Sequence, residues 1–190
     1  MEAPFQQWGL DFIGEIHPPS TGQHKWILMV TDYFTKQIEA VPTRNANDTV
    51  AIKFLLEKIF SIFGCPRKII IDNAQAFKLG KMIEFCNNHN VTLSHSTAYY
   101  RQWNGLVESS NKSLIRIIKK LLAENKWSWD SKLVYALWVD WVSTKRSICT
   151  SPFQIVYGTD SIFHVQLALP MMKLLQEELQ EPNEIQRRMV

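Results

Sequence analysis

Three carboxylates stand where an acid calls for an explanation. Asp11 interrupts the apolar run Trp8-Gly9-Leu10-Asp11-Phe12-Ile13, and an acid among such neighbours is rarely buried without a partner. Asp72 closes the β-branched run Ile69-Ile70-Ile71 and is followed by the turn residue Asn73. Glu108 follows the turn pair Asn104-Gly105 at the start of a long amphipathic stretch, with 35 residues (73 to 107) between it and Asp72. Taken singly, each acid has an ordinary reading: a half-exposed strand residue, an Asx turn, an acid that favours a helix start. As a set they suit a divalent cation. Transfer of a phosphodiester needs an activated attacking oxygen and a stabilised leaving oxygen, and two Mg²⁺ ions about 3.5–4 Å apart supply both. Mg²⁺ takes hard oxygen ligands and keeps several waters, so a few carboxylates on rigid elements suffice.

Polar residues that suit a nucleic acid surround the third acid. Lys112, Arg116 and Lys119 continue from Glu108 on one helical face, although a solvated face explains Arg116 and Lys119 equally well. Arg101, Gln102 and Asn104 lie in the loop before Glu108 and suit phosphate or base edges. Tyr100 and Trp103 in the same loop offer rings on which an unpaired base can stack, whereas Tyr99 is better read as packing against the sheet.

The elements that must hold these residues follow from periodicity. Residues 7–14 read as a strand with Trp8, Leu10 and Phe12 on one face and Asp11 on the other. Residues 25–31 are apolar enough to be covered on both sides, and 37–41 form a third strand ended by Pro42. Short turns, one of them the plain turn 18–22, make these an antiparallel meander. Asn47-Asp48-Thr49 starts a helix to about Phe63, with a stripe of Ala51, Leu55, Ile59 and Ile62 and Phe54 alongside. Gly64-Cys65-Pro66 stops it, strand 68–71 follows, and the helix is thus a crossover. A shorter helix at about 78–89 and a brief strand at 91–93 come next. Helices at about 104–124 and 129–145 follow, the second carrying Leu133, Val134, Leu137 and Trp138, and a last compact piece begins at Ser151. The order predicts a mixed sheet with helices on both faces.

Composition sets outer limits. The chain has 190 residues, 46% hydrophobic and 21% charged, with net charge +3; this fits one domain and permits nucleic acid without requiring it. The three cysteines form no CxxC pair, which points away from a zinc knuckle and a disulfide framework. No apolar run approaches the ~20 residues of a membrane span, and residues 1–4 read as no secretory signal.

With their neighbours the three acids form recognisable motifs. Trp8-Gly9-Leu10-Asp11-Phe12-Ile13-Gly14, Ile71-Asp72-Asn73 and the run from Tyr99 to Glu108 resemble the catalytic core of retroviral-type integrases, above all those of gypsy-type long-terminal-repeat retrotransposons. Residues 151–158 (SPFQIVYG) resemble the segment that follows that core. The resemblance covers about residues 4–160. It implies an α/β, ribonuclease-H-like fold, a five-stranded mixed sheet with helices on both faces. It also implies a metal triad of Asp11, Asp72 and Glu108 holding two Mg²⁺ or Mn²⁺ ions, and 3′-end trimming followed by joining to target DNA. DNA is the implied partner, Lys112 matches a DNA-holding position, and a homo-oligomer located in the nucleus or a virus-like particle is expected. A core-like domain at 1–160 and a helical or partly disordered extension at 161–190 complete the expectation.

The sequence also departs from that pattern. Ala74 stands where the family usually has Gly after Asp-Asn. Tyr100, Arg101 and Trp103 stand at the places of His, Pro and a small residue, and Ser109 replaces an Arg. Three functions therefore compete: an active integrating transferase, a catalytically silent remnant that keeps the fold and binds nucleic acid or protein weakly, and a ribonuclease H. The last relies on a fourth carboxylate for which no motif is present.

Overall fold

The computed structural model describes residues 3–71, 80–95 and 127–161. Five strands form one mixed sheet in the order β3-β2-β1-β4-β5. β1 (Gln7–Gly14), β2 (Trp26–Asp32) and β3 (Ile38–Thr43) are the antiparallel meander. β4 (Lys68–Ile71) lies parallel to β1 on its other side, and β5 (Thr92–His95) lies parallel to β4. The fold is therefore the expected α/β, ribonuclease-H-like one, with β1 at its centre.

A parallel partner for β1 requires a crossover. It begins at α1 (Asp48–Phe54), where Asn47 caps the helix by accepting from the Val50 N–H at 3.1 Å. The helix passes into a π-helical segment, Leu55–Phe60, and a closing turn α2 (Ser61–Phe63). Ala51, Leu55 and Ile59 face the sheet as expected, but Ile62 is 61% exposed. Phe63 takes its place, with its ring 4.6 Å from that of Phe5 and 5.3 Å from that of Trp8. The inward-facing stripe 51, 55, 59, 63, buried at its first three positions and partly buried at Phe63, repeats every four residues. At about 3.6 residues per turn it would drift off the sheet; the wider i→i+5 turns of a π segment keep it facing inward.

Two cores sandwich the sheet. On one face Trp8, Leu10, Leu28 and Val30 meet the crossover and α3 (Gly80–Asn88), which buries Met82, Phe85 and Cys86. On the other, Ile27, Met29, Ile38 and Ala40 meet α4 (Trp129–Val142) through Trp129, Leu133, Ala136 and Val139. Val134 points away from it and is exposed. α5 (Pro152–Tyr157) is capped by Ser151 and packs on α4, with the Phe153 and Trp138 rings 5.6 Å apart. β3 runs through Pro42, because an outer strand tolerates a residue with no N–H. Its open side is partly covered: the Trp141 indole donates to the Ile38 carbonyl at 2.6 Å.

Candidate functional site

Asp11 lies midway along β1, opposite Met29 of β2. Leu10 and Phe12 pack into the α1 and α3 core, and Ile13 packs into the α4 core. Strand alternation thus puts Asp11 on the α4 face together with Gly9 and Ile13. It is half-buried there.

The neighbouring strand carries the second acid's position. Leu10 pairs in parallel with Ile71, the last residue of β4, and Ile71 pairs with His95, the last residue of β5. Asp11 is the residue after Leu10, and Asp72 is the residue after Ile71. The carboxyl ends of parallel strands are where open α/β sheets gather ligands. Asp72 and Glu108 lie outside the described residues, as do Arg101, Gln102, Asn104, Lys112, Arg116 and Lys119, and also Ala74, Tyr100, Trp103 and Ser109. Asp11 alone of the expected set falls among the described residues. Among the described residues no three His, Cys, Asp or Glu side chains form a metal-holding group.

A buried turn fixes the strand beside Asp11. Asp32, fully buried at the end of β2, accepts from the Thr35 N–H and hydroxyl, both at 2.8 Å, and from the Phe5 N–H at 3.1 Å. Burial pushes its carboxyl above the ordinary range, and those hydrogen bonds oppose the shift. Lys36, also buried, donates to the Tyr33 carbonyl at 2.7 Å; burial pulls its ammonium down while Asp32 opposes the shift. Tyr33 then lies against β1 at Gly9, where an added Cβ would stand 2.9 Å from its Cε2. Gly9 is two residues from Asp11 on the same face, so this ring forms one wall of the acid's surroundings.

Comparison with known proteins identifies the arrangement. The integrase core domain family matches residues 1–101. The chain belongs to that family. The Gag-Pol polyprotein of avian reticuloendotheliosis virus is 35% identical to this integrase core over 162 residues, which are 82% of the chain and 13% of that polyprotein. The chain thus spans a small part of the length of this relative. Among solved structures, the HTLV-2 integrase catalytic core domain in complex with magnesium has a TM-score of 0.62 at 22% identity, covering 81% of this chain and 97% of that one. The simian T-cell lymphotropic virus intasome, in complex with a PP2A regulatory subunit, gives 0.67 at 20% identity, covering 85% and 58%. At these identities the structural likeness speaks for the fold.

Two polar clusters lay beyond the reach of sequence reading. The turn at 18–22 is more than a plain turn, because it is clasped to the start of α4. Ser20 Oγ donates to Asp130 Oδ2 at 2.7 Å, His24 Nδ1 donates to the same oxygen at 2.8 Å, and the Thr21 N–H donates to the Trp127 carbonyl at 2.8 Å. Burial works to raise the Asp130 carboxyl, but the bonds from Ser20, His24 and the Ser131 N–H outweigh it and hold the group below its ordinary range. Serine and histidine share one carboxylate oxygen, so the hydroxyl faces an acid and not a free imidazole nitrogen; this is no nucleophile arrangement. At the far end of α4, Asp140 and Lys145 form a buried ion pair. Asp130 sits in the first helical turn, where an acid is expected for the dipole alone, so no local signal distinguished it.

Proposed function

We propose that this integrase core keeps the family scaffold and a surface for nucleic acid or protein, with catalysis silenced in the segments that carry Asp72 and Glu108. The intact five-stranded register set against the substitutions at Ala74, Tyr100, Arg101, Trp103 and Ser109 supports this reading. An Ala in a turn that requires φ > 0 costs on the order of 1 kcal/mol. Replacing a Pro by Arg101 frees the chain and adds an N–H.

A second reading, an active DNA-integrating transferase of a gypsy-type retrotransposon, is favoured by one observation. Leu10 pairs with Ile71, and consecutive Cα atoms are about 3.8 Å apart, so Asp11 and Asp72 each stand one step beyond a paired residue on adjacent strands. Their hard oxygens, with those of Glu108, fit Mg²⁺ or Mn²⁺. Two such ions supply activation of the attacking oxygen and stabilisation of the leaving one. In this reading Lys112, Arg116 and Lys119 hold the DNA backbone from one helix face. Arg101, Gln102 and Asn104 contact phosphates or base edges. A homo-oligomer in the nucleus or a virus-like particle accompanies it.

One experiment separates the two: strand transfer and disintegration on branched DNA with Mg²⁺ or Mn²⁺, comparing wild type with Asp72→Asn and Glu108→Gln, beside a DNA-binding measurement. Binding without turnover upholds the silent scaffold. Metal-dependent turnover lost in both variants overturns it in favour of the transferase, and turnover that survives in Asp72→Asn excludes the triad.

A further inference from the structure

The outer edge of the sheet at β5 is built differently from the edge at β3. The Thr92 N–H donates to the Arg67 carbonyl at 2.9 Å, so in a parallel ladder Thr92 and Ser94 turn their backbone groups toward β4. Leu93 and His95 turn theirs outward, and β5 has no further strand beside it among the described residues. α3 overhangs this edge. Between them runs an open groove of about 590 Å³, lined by Ile83 and Asn87 of α3, by Asn90 and Val91 of the connecting turn, and by β5. That turn is held firmly: Asn90 adopts φ 55, and the Val91 N–H donates to the Cys86 carbonyl at 2.9 Å.

The lining selects an occupant. It contains no Lys, Arg, Asp or Glu, whereas a nucleic-acid backbone demands cations. It offers amides, a hydroxyl and an imidazole around apolar Ile83, Val91 and Leu93, and Ile83 is 42% exposed. An open strand edge beneath an overhanging helix is the geometry in which a peptide adds as a further strand. Its main chain bonds to the edge, and alternate side chains enter the groove. Residues 163–169 of this chain match that need: Phe163, Val165, Leu167 and Leu169 alternate with His164, Gln166 and Ala168, none of them carrying a formal charge, and Pro170 closes the run.

We propose that the β5–α3 groove binds this segment from a second copy of the chain as an added strand. Within one chain the segment reaches it only at full extension. α5 ends at Tyr157 on α4, which covers β2 and β3; β5 is four strands from β3, about 19 Å at about 4.8 Å per strand. The six residue steps from Tyr157 to Phe163 span at most about 21 Å fully extended, which leaves no slack for passing from the α4 face of the sheet to the α3 face. The inference stands whether or not the core processes DNA.

The test titrates the full chain with a fluorescent peptide of sequence 163–170, with and without N-methylation of alternate backbone amides. Hydrogen exchange at Leu93 and His95 and sedimentation velocity of the chain are followed alongside. Saturable binding, about tenfold weaker for the N-methylated peptide and for Ile83→Asp protein of unchanged melting temperature, supports the site. So do slowed exchange at Leu93 and His95 and concentration-dependent self-association abolished by Leu167→Asp. Should Ile83→Asp fail to fold, the N-methylated peptide still decides. Equal binding of both peptides, or unchanged exchange at the edge, overturns the site. Peptide binding by a chain that stays monomeric at every concentration overturns the second copy as its occupant.

Discussion

Glu39 should make this fold less stable as pH rises through neutrality. It sits on β3 opposite Val30, facing the crossover helix, with the Gln37 Nε2 donating to its Oε1 at 2.9 Å. Burial pushes its carboxyl from 4.5 to about 7, and the Gln37 bond and the nearby Lys58 charge offset only part of that rise. The folded chain therefore holds a proton at pH values where the unfolded chain has lost it. Stability contributed by that proton is full below the unfolded value of 4.5 and is lost as pH climbs through about 7. At about 1.4 kcal/mol per pH unit the ceiling is about 3 kcal/mol. Allowing for the solvent-facing part of the side chain, about 1–2 kcal/mol remains. Urea denaturation of wild type and Glu39→Gln at about pH 5 and about pH 8 isolates it, because other titrating groups cancel in the difference. The variant should gain on wild type by that amount between the two conditions. A gain near zero, or one of opposite sign, would refute the reasoning that Glu39 is desolvated.

The clasp between residue 20 and α4 predicts the opposite sign. Asp130→Ala leaves the buried Ser20 hydroxyl and the His24 Nδ1–H without their acceptor and should cost about 1–3 kcal/mol by urea denaturation at neutral pH. Because the Asp130 carboxyl is held low, that difference should shrink as pH falls below the ordinary carboxylate value; a pH-independent cost would contradict the assignment. Gly9→Ala should cost about 1–3 kcal/mol through the contact with Tyr33 at 2.9 Å. The cost should largely vanish in a Tyr33→Leu background, and persistence there would point to the backbone instead.

Legibility in the sequence followed the range of the interactions. β1 was readable because Trp8, Leu10 and Phe12 alternate, and β2 because a continuous apolar run matches burial on both faces. The same alternation correctly put Asp11 on the face opposite Trp8. The crossover's start was readable from Asn47, but its interior was not. A helical wheel assumes one pitch, and the π segment changes it, moving Phe63 inward and Ile62 out. Pro42 reads as a strand terminator unless the strand is known to be at the edge, which is a property of the assembled sheet. Asp130 and Ser20 meet across 110 positions, and no local pattern encodes such a meeting. Asp72 and Glu108 were found in the sequence by spacing and motif; of the site they would share, the described residues hold Asp11 and the strand register beside it.

That register is the claim on which the rest turns, and cation binding tests it without requiring turnover. Mn²⁺ titration of the full chain by electron paramagnetic resonance should show bound metal in wild type and its loss, to the same extent, in Asp11→Asn and in Asp72→Asn. Both variants should keep the wild-type melting temperature. Mn²⁺ binding that survives either substitution unchanged would contradict the proposal that Asp11 and Asp72, each one residue past the Leu10–Ile71 pair, share a cation.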